Sequence, residues 1–229
     1  MPLRLSISAG LLCAVACLAQ NDGSSPTAPV EDKRIFGVMP NNRTTEASIP
    51  FTPITAGRKM TIAAKDSFDW PVYPTAAAFA ALYQLEDQNP SFGQGMKGYA
   101  KRLGAAYGDQ MIGNMMTEGI VPSLLHEDPR YFRLGEGGGW HRTKYALTRI
   151  LVTRTDSNHN TFNVAEVGGN AMAVALSNAW YPDTRTASDN AEKLAIQLAT
   201  DAFSNVMKEF WPDVKRHFLK KHREESASR

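Results

Sequence analysis

Apolar residues recur every three or four positions over most of the chain after Thr55, which is the spacing of one face of an α-helix. The clearest run follows Pro90–Gly93 and predicts an amphipathic helix as far as about Thr117. Residues 143–155 are ambiguous between helix and strand because β-branched side chains are frequent there. Further helices are predicted at residues 56–68, 75–85, 163–179 and from about 188 to Trp211-Pro212.

Small residues form rows at i, i+4 spacing along three of the predicted helices. Glycine inside a helix costs roughly 0.5 to 1 kcal/mol relative to alanine, so a compensating close contact between helices is expected. Small side chains allow helix axes to approach closely. The pattern predicts an all-α fold, a compact helix bundle with Gly/Ala/Ser packing rows. The rows are Ala100-Gly104-Gly108, Ala165-Gly169-Ala173-Ser177 and Ala191-Ala195-Ala199.

The first residues have the layout of a secretory signal peptide. Arg4 precedes an apolar run from Leu5 to Cys17, and polar residues begin at Gln20. The run is shorter than the ~20 apolar residues that a membrane-spanning helix needs. Residues 1–19 are therefore expected to be a cleaved signal peptide. The alternative is a lipoprotein cut before Cys17, which would then carry the lipid.

Residues 20–54 are expected to be a flexible tether that continues, from Arg34 to Pro53, as an extended arm packed on the body. Ser, Pro, Asp and Gly dominate the first part, a composition typical of a tether. Residues 55–229 would then form the helical domain. Its basic tail, from Lys215 to Arg223, is either a solvated end or a short helix on anionic lipid.

Composition narrows the functional classes. The 229 residues and 43% hydrophobic content suit one globular domain. The net charge of +2 falls to +1 without Arg4, since 24 Lys and Arg then face 23 Asp and Glu, so a nucleic-acid partner is not expected. Both cysteines, Cys13 and Cys17, lie in the leader. The mature chain therefore lacks a disulfide and a thiolate metal site.

A first polar segment, His126-Glu127-Asp128, has three groups that bind metals in other proteins. Adjacent side chains point in different directions and cannot all bind one ion, and the HExxH spacing is missing. We therefore predict no metal site and no cofactor. The simpler interpretation is an Asx-type turn, with Arg130 and Arg133 paired to acids.

A second polar segment, Arg149 to Asn163, precedes a predicted helix. Free amides and the helix dipole attract an anion at such a place, and Arg154 and Ser157 could add to its binding. His159 could act as nucleophile or general acid. The alternative is a cap and turn with Arg154 exposed. Farther along, Lys208 and Glu209 are typical of a solvated helix face.

Much of the mature chain resembles an uncharacterised family of bacterial secreted proteins. The stretches that carry this likeness include KDSFDWPVY, LLHEDPRYFRLG, RTDSNHNTFN and KEFWPDVKR. The resemblance implies export and brings no activity with it.

Shorter motifs are similar to those of the type 2 phosphatidic acid phosphatase and vanadium haloperoxidase superfamily. Asp128-Pro129-Arg130 resembles the end of its first motif, Asp156-Ser157-Asn158-His159 its second, and Thr200-Asp201-Ala202 the close of its third. The resemblance implies catalytic roles for Arg130, His159 and Asp201 and anion binding by Arg130. Gln197 stands where the superfamily has its nucleophilic histidine.

These observations favour a non-catalytic, exported cell-envelope protein that acts in interaction or scaffolding. Its partner would be a protein or another envelope component, and a lipidated Cys17 or the basic tail would give membrane contact. The alternative is a phosphoesterase-like hydrolase, or a degenerate relative of the phosphatases, with an anion pocket around Arg130, Arg154, Ser157 and His159.

Overall fold

The computed structural model describes the backbone of residues 34–35, 39–40 and 43–227 and the side chains of residues 43–217. The predicted signal peptide, Cys17 and the residues up to 33 lie outside this part, as do the tail side chains after His217. Helices hold 66% of the described residues, so the prediction of a helical bundle is confirmed. The helices are α1 (Ala56–Ser67), α2 (Val72–Leu85), α3 (Gly95–Asn114), α4 (Val121–Leu125), α5 (Gly139–Thr148), α6 (Val164–Ser177) and α7 (Ala187–Ala227).

The helix α1 begins and ends close to the predicted positions. Thr55 caps it, because its Oγ1 accepts a hydrogen bond from the amide of Arg58 at 3.2 Å. The helix stops at Ser67, shortly before Pro71, and α2 begins directly after that proline. The two helices are therefore separated by a short, proline-marked turn.

A π-helix, Met115–Ile120, joins α3 to α4. Such wide turns are rare and often occur at functional sites. This one brings Thr117, Glu118 and Gly119 into the interior. A methyl group on Gly119 would lie 2.9 Å from Met60 Sδ, so α1 packs directly against the π-helix here.

The row of small residues in α6 packs as predicted. Ala165, Gly169, Ala173 and Ser177 are all buried. A methyl group on Gly169 would lie 3.1 to 3.2 Å from Thr117 and the Met116 carbonyl carbon. The close contact between α6 and the π-helix therefore depends on this row.

The other two rows do not pack in this way, and their prediction was wrong. Gly104 and Gly108 have no atom within 4 Å of an added methyl group, and the alanines of the α7 row are exposed. The α3 row instead forms the floor of an open apolar groove, walled by Phe92, Ile112 and Trp180. Small residues at helical spacing do not by themselves show which helix face is covered.

Short strands connect the helices, which the all-α prediction did not include. The predicted arm contributes β1 (Arg34–Ile35), β2 (Met39–Pro40) and β3 (Thr44–Glu46), and β3 pairs in parallel with β5 (Tyr131–Arg133). A second, antiparallel sheet consists of β4 (Glu127–Asp128), β6 (Val152–Thr155) and β7 (Asn160–Phe162), with β6 in the middle.

The ambiguous segment 143–155 contains both predicted alternatives, the end of α5 and then β6. The polar residues from Asp156 to His159 form the hairpin turn between β6 and β7, in which Asn158 has a φ of 65°. They do not start α6, as the sequence had indicated. Asn163 caps α6 instead, and its side chain accepts a hydrogen bond from the amide of Glu166.

The last helix begins at Ala187, close to its predicted start, and differs from its prediction at the other end. A capping box joins Thr186 to Asp189: the Thr186 amide donates to Asp189, and the Asp189 amide donates to Thr186 Oγ1. The helix also continues through Pro212, which was expected to end it. In the described part of the chain, no helix combines the length and apolar character needed to cross a membrane.

Candidate functional site

A narrow cleft lies between the β4–β6–β7 sheet and the helices beneath it. Four arginines line it, which gives the cleft its chemical character. Its volume is about 30 Å³, enough for one or two water molecules or for one small anionic group. We call it the arginine cleft. Its charged lining residues are Arg43, Asp128, Arg130, Arg149, Arg154 and Glu166.

Arg130 is paired with an acid, as the simpler interpretation of its segment predicted. Its Nε and Nη2 donate to Oδ1 and Oδ2 of Asp128 at 2.9 and 2.6 Å. The Arg130 amide also donates to Asp128 Oδ1, which closes the expected Asx-type turn. Because Asp128 is only 1% exposed, this pair is a fixed part of the cleft wall and contributes little net charge.

Arg149 and Arg154 give the cleft its uncompensated positive charge. Among the described residues neither forms a salt bridge. The Arg154 guanidinium lies 4.3 Å from the centre of the Phe132 ring and donates to Asn158 Oδ1. The Arg149 guanidinium lies 4.7 Å from the Tyr145 ring, and its buried Nε hydrogen-bonds to none of the described residues. Stacking on rings therefore holds both side chains while leaving donor groups for a ligand.

A cluster of buried charged residues lies under the cleft. Arg43 connects the two, since it lines the cleft and its Nη1 lies 3.3 Å from Glu118 Oε1 and 3.9 Å from Glu166 Oε2. We call this set the buried ion cluster. Its members are Arg43, Asp66, Glu118, Glu166, Asp201 and Lys208.

The acids of the buried ion cluster form two pairs of neighbours, Glu118 with Asp66 and Glu166 with Asp201. Two carboxylates that are close together in the interior repel each other when both are ionised, which favours the protonated form of each glutamate. Burial, opposed by Arg43 and reinforced by Asp66, raises the pKa of Glu118 to about 8.

Burial and the charge of Asp201 likewise raise the pKa of Glu166 to about 8, and burial lowers the pKa of Lys208 to about 8. Protonation of the two glutamates reduces the negative charge that the interior must hold, which lowers the cost of burying so many ionisable groups together.

The prediction that Lys208 and Glu209 face solvent was wrong, because they are only 3% and 0% exposed. Glu209 accepts hydrogen bonds from Tyr131 Oη, Arg142 Nε and the amides of Leu134 and Gly135 at 2.7 to 3.0 Å. These bonds fix α7 to the loop after β5. They thereby position Tyr131 in the cleft wall.

The other residues of the predicted site, Ser157, His159 and Asp201, do not all lie together in the structure. Ser157 and His159 lie on the exposed hairpin turn, where Ser157 Oγ is 3.2 Å from His159 Nδ1, and neither lines the cleft. Asp201 belongs to the buried ion cluster, where it also accepts a hydrogen bond from Asn170. Only Arg130 and Arg154 of the predicted site lie in the cleft lining.

The amino terminus of α6 is already filled by the protein's own acid. Glu127 accepts hydrogen bonds from the amides of Val164 and Ala165 at 3.3 and 2.8 Å. Asn163 takes the next amide, that of Glu166. The predicted anion site at this helix end therefore has no free amides, and an anion would have to be bound by arginine side chains.

The hydroxyl groups that line the cleft are all used in internal hydrogen bonds. Thr117 donates to the Gly113 carbonyl, Thr153 to the Asp128 carbonyl, and Tyr131 to Glu209. In the described part of the chain, no group of three or more His, Cys, Asp or Glu side chains could hold a metal ion. Among the lining residues, the arginine side chains are therefore the donors available to an anion.

Sequence reasoning missed Arg43, Glu118 and Glu166. The two glutamates did leave a signal, since each stands as a single acid in an otherwise apolar or small-residue segment, GNMMTEGIVP and VAEVGGNAMA. An acid in such a segment is expected to be buried and paired. Arg43, in the arm, has no such signal.

Compared with protein-family models, curated proteins and solved structures, the chain matches none.

Proposed function

We propose that this protein is a non-catalytic binding protein whose arginine cleft holds a small oxyanion or the anionic end of a larger ligand. The observation that carries the proposal is Arg149, a cation that lines the cleft and whose buried Nε has no acceptor among the described residues. Leaving a buried donor unpaired costs about 1 to 3 kcal/mol. A bound carboxylate, sulfate or phosphoryl group would remove that cost.

The charges around the cleft support the same ligand. Asp128 neutralises Arg130, and the buried acids offset Arg43, while Arg149 and Arg154 have no acidic partner among the described residues. Guanidinium groups suit planar and tetrahedral oxyanions because they donate two parallel hydrogen bonds. The small volume favours one anionic group in the cleft, with the rest of a larger ligand outside it.

Three features support binding over hydrolysis. Ser157 and His159 lie outside the cleft lining, and the lining hydroxyls donate within the protein. Gln197, in place of the nucleophilic histidine of the resembling phosphatases, would prevent a phosphohistidine from forming. One observation favours the hydrolase alternative: Arg130 and Arg154 line the same cleft.

We also propose that the protein is exported to the cell envelope, where the ligand or a partner protein is bound. The leader and its resemblance to secreted proteins support this location. Lipid attachment at Cys17 or contact of the basic tail with membrane would hold it at a surface. The intact mass of the protein recovered from the envelope distinguishes a cut before Gln20 from a lipid-modified Cys17.

Binding is tested by calorimetric titration of the purified protein with sulfate, inorganic phosphate and a phosphate monoester. We expect saturable binding that is weakened at least tenfold in Arg149→Gln and in Arg154→Gln, since a charged hydrogen bond contributes about 1.5 to 3 kcal/mol. Arg58→Gln, on the exposed side of α1, removes the same charge elsewhere and should leave the affinity unchanged. Equal weakening in all three variants would show a general charge effect and contradict the cleft.

Catalysis is tested with phosphate and carboxylate esters under the same conditions. We expect no turnover above the uncatalysed rate. Turnover that His159→Ala abolishes, with unchanged circular dichroism, would overturn the non-catalytic proposal in favour of the hydrolase.

A further inference from the structure

Arg43 belongs to two sites at once. It lines the arginine cleft, and its Nη1 reaches Glu118 and Glu166 in the buried ion cluster at 3.3 and 3.9 Å. Its side chain is 12% exposed, so it faces the cleft and the interior together. A ligand that binds Arg43 must therefore change the electrostatic surroundings of the acids beneath it.

We propose that anion binding in the arginine cleft is coupled to proton uptake by the buried ion cluster through the shared guanidinium of Arg43. This inference rests on the proposed function, and it adds that the site prefers its ligand together with a proton. By thermodynamic linkage, protonation of the cluster then strengthens anion binding to the same extent.

The sign of the coupling follows from the charges. Arg43 stabilises the ionised forms of Glu118 and Glu166. An anion beside Arg43 adds negative charge and offsets part of that stabilisation, so both glutamates retain their protons more strongly. The same added charge favours the protonated form of Lys208. All three effects point to uptake of protons when the anion binds.

The groups that face one another across this site come from every element packed around it. The groups of the buried ion cluster are Asp66 on α1, Glu118 on the π-helix, Glu166 on α6, Asp201 and Lys208 on α7, and Arg43 before β3. The other charged groups that line the cleft are Asp128, Arg130, Arg149 and Arg154. Glu118 and Glu166 are the acids able to gain a proton near neutral pH, because burial beside a second carboxylate favours their neutral forms. The pKa values of about 8 for Glu118, Glu166 and Lys208 set the range in which uptake is expected.

Sulfate is the appropriate probe because it carries no titrating proton near neutral pH. Calorimetric titration in two buffers of different ionisation enthalpy measures the protons taken up for each sulfate bound. We expect uptake of a fraction of a proton up to one proton at about pH 8, and almost none at about pH 6, where the cluster is already protonated. If one proton is taken up, sulfate affinity falls by about tenfold for each pH unit above 8.

Glu118→Gln changes the buried ion cluster without changing the lining of the cleft, since Glu118 does not line the cleft. This variant should keep sulfate affinity at about pH 6 and reduce proton uptake at about pH 8. Asp109→Asn is the matched control: burial raises the pKa of Asp109 to about 6, but its carboxylate contacts Trp180 and Tyr181 outside the cluster. It should leave uptake unchanged.

The outcomes distinguish the two proposals. Sulfate binding with no proton uptake and no pH dependence in the native protein would overturn the coupling and leave the anion site intact. Failure of sulfate to bind at any pH would overturn both. The native measurement alone decides the coupling, so an unstable Glu118→Gln protein would not weaken the test.

Discussion

The carboxylate of Glu127 accepts a hydrogen bond from the amide of Ala165 at 2.8 Å, and so a residue of β4 caps α6. The carboxylate is buried and its charge lies at the positive end of the helix dipole. This contact joins the β4–β6–β7 sheet to the helix that carries Glu166. The geometry of the arginine cleft depends on that connection.

Removing this cap should destabilise the protein. Glu127→Ala leaves the buried amide of Ala165 and the partly buried amide of Val164 without acceptors, and we expect a loss of about 1 to 3 kcal/mol in the free energy of unfolding. Urea denaturation followed by circular dichroism measures it. Glu136→Ala, in an exposed loop, should change stability by less than about 0.5 kcal/mol. Equal stability of the two variants would contradict the capping role.

The raised pKa values of the buried Glu118 and Glu166 predict a pH dependence of stability. In the folded protein Glu118 and Glu166 hold protons up to a pKa of about 8, whereas their ordinary value is 4.5. Folding therefore takes up protons between these values, and stability is greatest below the ordinary pKa and is lost as the pH rises through about 8. Each proton contributes at most about 1.4 kcal/mol per pH unit.

Denaturation at several pH values between 6 and 8 checks this direction. Above pH 6 the buried Asp109, with a pKa of about 6, has largely titrated and the two glutamates dominate. Glu118→Gln imitates the protonated acid and should make stability less dependent on pH over this range. Glu192→Gln, exposed on α7, should leave the dependence as it is. Stability that rises steadily from pH 6 to 8 would contradict protonated acid pairs.

Helix positions were predictable because local signals determine them. Thr55 and Pro71 mark the limits of α1 as expected, and the small row from Ala165 to Ser177 packs closely. The predicted helix end at Pro212 failed for a tertiary reason. Arg133 and Arg142 donate to the carbonyl of Glu209 at 2.8 and 2.6 Å, one turn before the proline, and compensate for the disturbed helix bonding there.

The candidate site was predictable only in part. Arg154 lies on β6 opposite Asp128 of β4, and Arg130 follows β4 by two residues, so both arginines line the same cleft. Lys208 and Glu209 look solvated in the sequence because a polar pair on a helix is usually exposed. Apart from Asp201 on the same helix, their partners come from segments more than 60 residues away in the chain. A pattern with helical period carries no information about such distant partners.

Glu209 provides a third prediction. Glu209→Ala would leave Tyr131 Oη, Arg142 Nε and two backbone amides without their acceptor in the interior. Removing one partner of a buried ion pair costs about 3 to 5 kcal/mol, so we expect a loss of that size or failure to fold. Glu192→Ala on the exposed side of the same helix is the control. A variant with stability close to native would show that Glu209 is hydrated in solution.

The two glycine rows give a final pair of opposite expectations. Gly104→Ala adds a methyl group where no atom lies within 4 Å, and it should stabilise the protein by about 0.5 to 1 kcal/mol through the higher helix propensity of alanine. Gly169→Ala places the same group 3.1 Å from Thr117 Cγ2 and 3.2 Å from the Met116 carbonyl carbon, and overpacking there should cost about 1 to 3 kcal/mol.

Urea denaturation of both variants at one pH measures the difference. The same chemical change is made in two helices, so intrinsic propensity is shared and only the local packing differs. Destabilisation by Gly104→Ala comparable to that by Gly169→Ala would mean that the groove floored by Ala100, Gly104 and Gly108 is covered in solution. Opposite signs would establish that the α6 row makes a close helix contact and that the α3 row does not.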